Sequence, residues 1–236
     1  LQKLAGLPVL LLLLTVPAPA QDAPEGWLIP YAFAWQPPVA GFNSAFAGVG
    51  APGARARHFG WGIELRSHIG SGFLLGPMFF STSDKVANDS FQLTTNATGL
   101  FGELAYRIGI ADIVSIVPMV GVGGLSQSFH VRRDPADMSL EELLRSREAQ
   151  VDVGTKMKLT GLAALELGLA ANTKAGRFGI ALRGGYLYSP FEPDWRSGSG
   201  GRVTGTPGGT LKGPFASVGL LFLPAAEVNS GPAPLN

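Results

Sequence analysis

Between Val151 and Ala171 the chain reads VDVGTKMKLTGLAALELGLAA, and side-chain character changes at every second residue. Val151, Val153, Met157, Leu159, Ala163, Leu165, Leu167 and Leu169 take the odd positions; Asp152, Lys156, Lys158, Thr160, Glu166 and Gly168 take the even ones. A period of two belongs to a β-strand with one apolar and one polar face. A helix would place Lys158 and Leu165 on the same side and mix the faces. The same period recurs elsewhere. Phe59, Trp61, Ile63 and Leu65 oppose His58, Gly60, Gly62, Glu64 and Arg66. Phe178, Ile180, Leu182, Tyr186 and Tyr188 oppose Gly179, Ala181, Arg183 and Gly185. Leu100, Leu104, Tyr106 and Ile108 oppose Glu103 and Arg107, and Trp27, Ile29, Tyr31, Phe33 and Trp35 form one face of a first strand. Segments 72–82 and 113–131 are apolar on both faces, and 211–223 alternates weakly.

The pattern predicts eight strands, at 27–36, 57–67, 72–82, 91–109, 112–131, 151–171, 177–189 and 211–223. Short turns at 68–71, 110–111 and 172–176 alternate with longer loops at 37–56, 83–90, 132–150 and 190–210. An even number of strands with this rhythm is the layout of a membrane barrel with short periplasmic turns and longer external loops. Composition narrows the field. With 33 glycines and 18 prolines in 236 residues, a helical bundle is disfavoured. The absence of cysteine excludes a disulfide scaffold, a thiolate zinc site and a thiol nucleophile.

Soluble and membrane barrels share this alternation and differ in which face is outside. Three features favour an apolar outside. The apolar face carries aromatics at its ends, as where Phe178 and Tyr188 bracket Ile180 and Leu182. The polar face is rich in glycine, with isolated charges of both signs rather than a dense charged coat. Only 15% of residues are charged, low for a fully wetted exterior.

Residues 1–20, LQKLAGLPVLLLLLTVPAPA, read as a cleaved signal peptide. Lys3 gives the positive start, Leu4 to Val16 the apolar stretch, and Ala18-Pro19-Ala20 a small-x-small site with cleavage between Ala20 and Gln21. The domain expectation is therefore a signal peptide at 1–20, a barrel at 21–223 and a short disordered tail at 224–236. Removing Lys3 leaves 17 basic and 17 acidic residues, so there is no basic footprint for nucleic acid.

Taken together, the chain resembles the small bacterial outer-membrane β-barrels of the OmpA, OmpX and OmpW type, over nearly all of 27–223. The resemblance rests on the leader, the eight alternating segments, the loop rhythm and the aromatic Phe222 in the closing strand. It departs in the tail that follows Leu223, where such proteins usually end on an aromatic residue. It implies an all-β, eight-stranded antiparallel up-and-down transmembrane barrel in the bacterial outer membrane. Membrane lipid, lipopolysaccharide and the barrel-insertion machinery are the implied partners, with no cofactor and an unidentified external ligand.

If the apolar faces meet lipid, Glu64, Arg66, Glu103, Arg107, Lys158, Glu166 and Arg183 face the lumen. Charges in so narrow an interior must pair, so the expectation is a plug of ion pairs, as in small barrels of this type. The aromatic girdle is expected from Trp27, Tyr31, Trp35, Trp61, Tyr106, Phe178, Tyr186, Tyr188 and Phe222.

Other candidates carry less chemistry. Gly48-Val49-Gly50-Ala51-Pro52-Gly53 matches a dinucleotide-binding spacing but lacks the strand before and the helix after it, and reads as a flexible external loop. His58, His68 and His130 show no H-E-x-x-H spacing; His58 and His130 lie near one rim, where a two-histidine external site is the alternative to plain rim histidines, and His68 lies at the other. Ser128 and His130 share a strand face, as an outer-membrane acyl hydrolase would need, without a nucleophile elbow. Residues 134–148, with Ser139 and Glu142 as a capping box and Leu140, Leu143 and Leu144 as a stripe, read as a loop helix. The expectation is a non-enzymatic barrel with a structural or surface-interaction role. The alternatives are a narrow conduit for small hydrophobic molecules, which apolar lumen residues such as Met78, Val117 and Met119 would support, a secreted lipophile-binding barrel, and a lipid-modifying hydrolase.

Overall fold

The computed structural model describes residues 26–111, 113–133, 150–173, 176–203 and 210–224. The expected signal peptide, the expected 134–148 helix and all of the expected tail except Pro224 lie outside these residues.

The strands are β1 (Gly26–Trp35), β2 (His58–Gly70), β3 (Phe73–Ala87), β4 (Phe91–Tyr106), β5 (Ile108–Ala111), β6 (Val114–Arg133), β7 (Gln150–Thr155), β8 (Lys158–Thr173), β9 (Gly176–Tyr188), β10 (Trp195–Ser197) and β11 (Lys212–Pro224). Eight of them are staves of one closed antiparallel barrel, in the order β6-β4-β3-β2-β1-β11-β9-β8, with β8 pairing back onto β6. Short β5 continues β4 past Arg107 and pairs with β6, while β7 and β10 extend the wall beyond β6. Seven of the eight expected strands are staves shifted by a few residues at their ends; the expected 151–171 strand is broken at 156–157 into β7 and the stave β8, and the expected 190–210 loop carries β10. Most of the expected 83–90 loop is also strand: β3 runs to Ala87 and Asn88 Oδ1 accepts from the backbone N–H of Ser90 and Phe91 in a tight hairpin.

Closure without an edge satisfies every ladder hydrogen bond within the wall. It also fixes the two faces. Phe59 and Trp61 on β2, Leu165 and Leu169 on β8, and Phe178, Ile180 and Leu182 on β9 are exposed on the outside, while Glu64, Glu166 and Arg183 are buried.

The lumen is filled in layers. At the short-turn end Trp27 lies beside the guanidinium groups of Arg107 and Arg177, at 5.5 and 6.0 Å. Above it come Ile29 and a charged layer, then a stack in which Phe33 meets Phe80 at 4.2 Å and Phe215 at 5.3 Å. Trp35 and fully buried His58 close this column at the long-loop end. Glycines make room for the rings: a Cβ on Gly62 would stand 2.2 Å from the ring of Tyr31.

Two expectations are corrected here. Trp27, Tyr31 and Trp35 do not join a girdle but point into the lumen, each no more than 6% exposed. In β1 both faces are apolar, and the outward positions are Leu28, Pro30, Ala32 and Ala34, so the larger face went inside. The second correction concerns 37–56, expected as loop. It contains helix α1 (Ala40–Gly48), whose Phe42 is buried against Phe129 at 4.4 Å and Trp195 at 4.6 Å. The glycine-bearing stretch after it is tied down rather than free. Asn43 donates to the Ala54 carbonyl at 2.9 Å and accepts from the Ala54 N–H at 2.7 Å.

Candidate functional site

Two groups of polar side chains stand out, one inside the wall and one outside it. The inner group comes from four strands. β2 supplies Glu64 and Arg66, β4 supplies Glu103, β8 supplies Glu166 and β9 supplies Arg183. Each is inward because it shares the parity of its strand's buried residues, and Glu166 and Arg183 are direct cross-strand partners. Arg66 holds Glu166 with both terminal nitrogens, at 2.9 and 2.8 Å. Arg183 Nη2 donates to the same carboxylate at 2.8 Å and also to Glu64, whose other oxygen accepts from Arg66 Nε. Glu103 lies 3.8 Å from Arg183.

All five are at most 4% exposed. Three carboxylates face two guanidiniums, and forked geometry lets each arginine serve more than one acid. Two more N–H contacts go to methionine sulfur: Arg66 Nη2 to Met119 at 3.7 Å and Arg183 Nη1 to Met78 at 3.5 Å. Arg183 also sits over the ring of Tyr31 at 5.6 Å, and the Tyr31 hydroxyl donates to the Phe79 carbonyl at 2.8 Å. Five of the seven charges expected in the lumen are thus brought together. Arg107 lies beside Trp27 at the short-turn end, and Lys158 is half-buried at the start of β8.

Of the expected girdle, Trp61, Tyr106, Phe178, Tyr186 and Tyr188 are exposed on the outer face. Phe222 is half-buried there, 4.8 Å from Phe178.

The outer group sits where β6 and β7 rise beyond the apolar band. Outward positions on β6 run Ile116, Pro118, Val120, Val122, Gly124, Ser126, Ser128 and His130, so apolar gives way to polar after Gly124. His130 pairs directly with Asp152 of β7, and Ser128 lies between Asn96 of β4 and Gly154 of β7. Ser128 Oγ is 3.2 Å from His130 Nε2, and His130 Nδ1 is 2.8 Å from Asp152 Oδ1. A carboxylate only accepts, so Nδ1 carries the proton and Nε2 accepts from the serine hydroxyl. Gln150 Nε2 also donates to both Asp152 oxygens, at 2.9 and 3.1 Å. Burial pushes the Asp152 carboxyl up, but hydrogen bonds from Gln150 and His130 outweigh it and hold it below the usual aspartate range.

Sequence pattern places Ser128 and His130 on one face but does not connect Asp152, because the acid belongs to another strand. Only the β6–β7 register brings it in. A two-histidine rim site does not form: His58 is fully buried inside the wall, whereas His130 is on its outer side. Among the described residues no group of three or more His, Asp or Glu could hold a metal ion.

No family model matches the chain, and no curated protein matches it in sequence. Several solved structures are similar in fold. Ail, the attachment invasion locus protein of Yersinia pestis, is 12% identical with a TM-score of 0.46, over 86% of this chain and 100% of that one. Neisserial surface protein A is 12% identical with a TM-score of 0.44, over 84% and 96%. A major outer membrane protein from Thermus thermophilus is 11% identical with a TM-score of 0.45, over 84% and 99%.

Proposed function

We propose that this barrel spans a bacterial outer membrane, with short turns in the periplasm and long loops outside, and that its barrel plays a structural or surface-interaction role rather than conducting. One observation carries the proposal. The exterior presents a broad band of exposed Leu, Ile, Val, Phe and Tyr side chains, while the interior buries three glutamates and two arginines. In water that arrangement would expose an apolar surface far beyond the few hundred Å² usual for a soluble monomer. In a bilayer it is the expected one: lipid replaces water outside, and inside the two arginines pair with Glu64 and Glu166, with Glu103 beside Arg183.

The band would contact membrane lipid, with Trp61, Tyr186 and Tyr188 at its margins and lipopolysaccharide around the outer rim. Insertion by the barrel-assembly machinery follows from the same placement. The ion-pair layer, held between the Trp27 layer and the phenylalanine stack, blocks the lumen. Met78, Val117 and Met119 do face inward, as a conduit for hydrophobic molecules requires, but two of them take arginine N–H groups and so form the walls of the plug. Carbonate washing tests the placement: the protein stays with the membrane pellet, and its release into the supernatant overturns the proposal. Planar-bilayer recording tests the plug: the folded protein gives no stable large conductance.

A further inference from the structure

The outer Ser128–His130–Asp152 array lies on the other side of the wall from the ion-pair layer. We propose that it is a serine-hydrolase site at the outer lipid boundary, cleaving carboxylic esters of amphiphiles. The inference rests on the membrane placement only for its substrate class.

The three roles are filled in order. Asp152, steadied by Gln150, fixes the His130 ring with Nδ1 protonated and is a positioning residue. His130 Nε2 is left as a base aimed at the Ser128 hydroxyl, 3.2 Å away. Ser128 is the nucleophile. Its two flanks differ in a useful way. On the β7 side stands Gly154, where a Cβ would be only 3.3 Å from that of Ser128, so a larger residue there would crowd the attack path. On the β4 side stands Asn96, a direct cross-strand neighbour on the same face. Cross-strand Cβ atoms lie about 5 Å apart, within reach for the Asn96 amide to donate to an oxyanion formed at Ser128.

Position defines the substrate. His130 and Asp152 keep 39% and 35% of their side-chain surface exposed, so the array is open to molecules outside the wall. Below Ser128, past the Ser126–Thr98 pair, the outer surface turns apolar. Gly124 lies between Leu100 and Leu159, Met157 folds over it, and Val122 and Val120 continue downward. An acyl chain laid along this apolar strip puts its carboxyl end near Ser128.

The chemistry closes on the groups present plus water. Ser128 Oγ bonds to the ester carbonyl carbon as its proton passes to His130 Nε2, and the oxyanion is met by Asn96. Collapse breaks the carbonyl carbon–alkoxy oxygen bond, and His130 returns the proton to the leaving alcohol. Water then attacks the acyl-serine, giving one proton to His130. The Ser128 ester bond breaks, Ser128 takes that proton, and the products are a free carboxylic acid and an alcohol.

The test uses detergent-folded full-length protein, with folding checked by heat-modifiable gel mobility. A fluorophosphonate reporter labels wild type and not Ser128→Ala. p-Nitrophenyl laurate in micelles is hydrolysed at least ~10-fold faster than p-nitrophenyl acetate. Asp152→Asn lowers kcat by ~10⁴ with KM unchanged, and Asn96→Ala lowers it by ~10²–10³. All three substitutions are on the outer face and leave the mobility shift intact. Folded wild type that neither takes the label nor cleaves the laurate overturns the site, as does label retained in Ser128→Ala. Acetate cleaved as fast as laurate overturns the substrate class. Labelling is read in detergent, so the site and the membrane placement stand or fall separately.

Discussion

Arg183 is the side chain on which the interior depends most. It contacts Glu64 and Glu166 directly and lies 3.8 Å from Glu103, all at most 2% exposed. A buried pair is weak evidence of net stability, because desolvation offsets the attraction; removing one partner is a different matter, since it strands the other charges. Arg183→Ala should therefore destabilise the barrel by ~3–5 kcal/mol, measured by urea unfolding in lipid vesicles. Wild-type-like unfolding would show that the layer is hydrated. Gly62 is the complementary position. A side chain there displaces the Tyr31 ring from beneath Arg183, so Gly62→Val should destabilise by about 1–3 kcal/mol through overpacking, whereas Gly184→Ala, on the outer face of β9 with open space around it, should leave the lumen unaffected.

At the scale of elements, α1 behaves as a lid on the column of rings rather than as part of the wall. Its hold is Phe42, set among Phe46, Phe129 and Trp195. Phe42→Ala should free α1 locally, because opening it disturbs no ladder hydrogen bond. Limited proteolysis should then cut within 40–57 while heat-modifiable mobility is retained; cleavage equal to wild type would show that the Asn43–Ala54 clasp suffices. The same scale shows what is legible in the sequence. β2, β8 and β9 are legible with their faces, because one face is polar and period two leaves no choice of phase. β1 is legible as a strand but reads inside out, since a lumen that is aromatic as well as charged removes the contrast between faces. α1 is hidden because AGFNSAFAG has no long apolar stripe and folds through contacts with distant strands. The inner charges are legible by parity but not by height: Arg107 and Lys158 share the right face and lie at the ends. Asp152 cannot be joined to His130 without the register of two separate strands.

For the whole molecule, the decisive property is inversion, and it predicts an asymmetry that a soluble barrel would lack. Leu182 is 45% exposed near the middle of β9. Leu182→Arg should cost ~2–4 kcal/mol in a bilayer, and a substitution near the rim, such as Tyr188→Arg, about 0–1; equal, negligible costs by urea titration in vesicles would remove the lipid contact. Inversion also bears on the order of events as the chain assembles. The carboxylate of Glu64 meets Arg183 across 119 positions, and Arg66 meets Glu166 across 100. No early hairpin can supply these partners, and non-local pairing slows folding. On the proposed membrane placement, the charges would stay in water until the final staves arrive, and an open, partly formed sheet would keep a wet face that resists burial in lipid. Closure then dehydrates all five together. On the proposed placement the cluster would thus act as a timer as well as a plug, making an unfinished barrel unwelcome in the bilayer and a finished one slow to come apart.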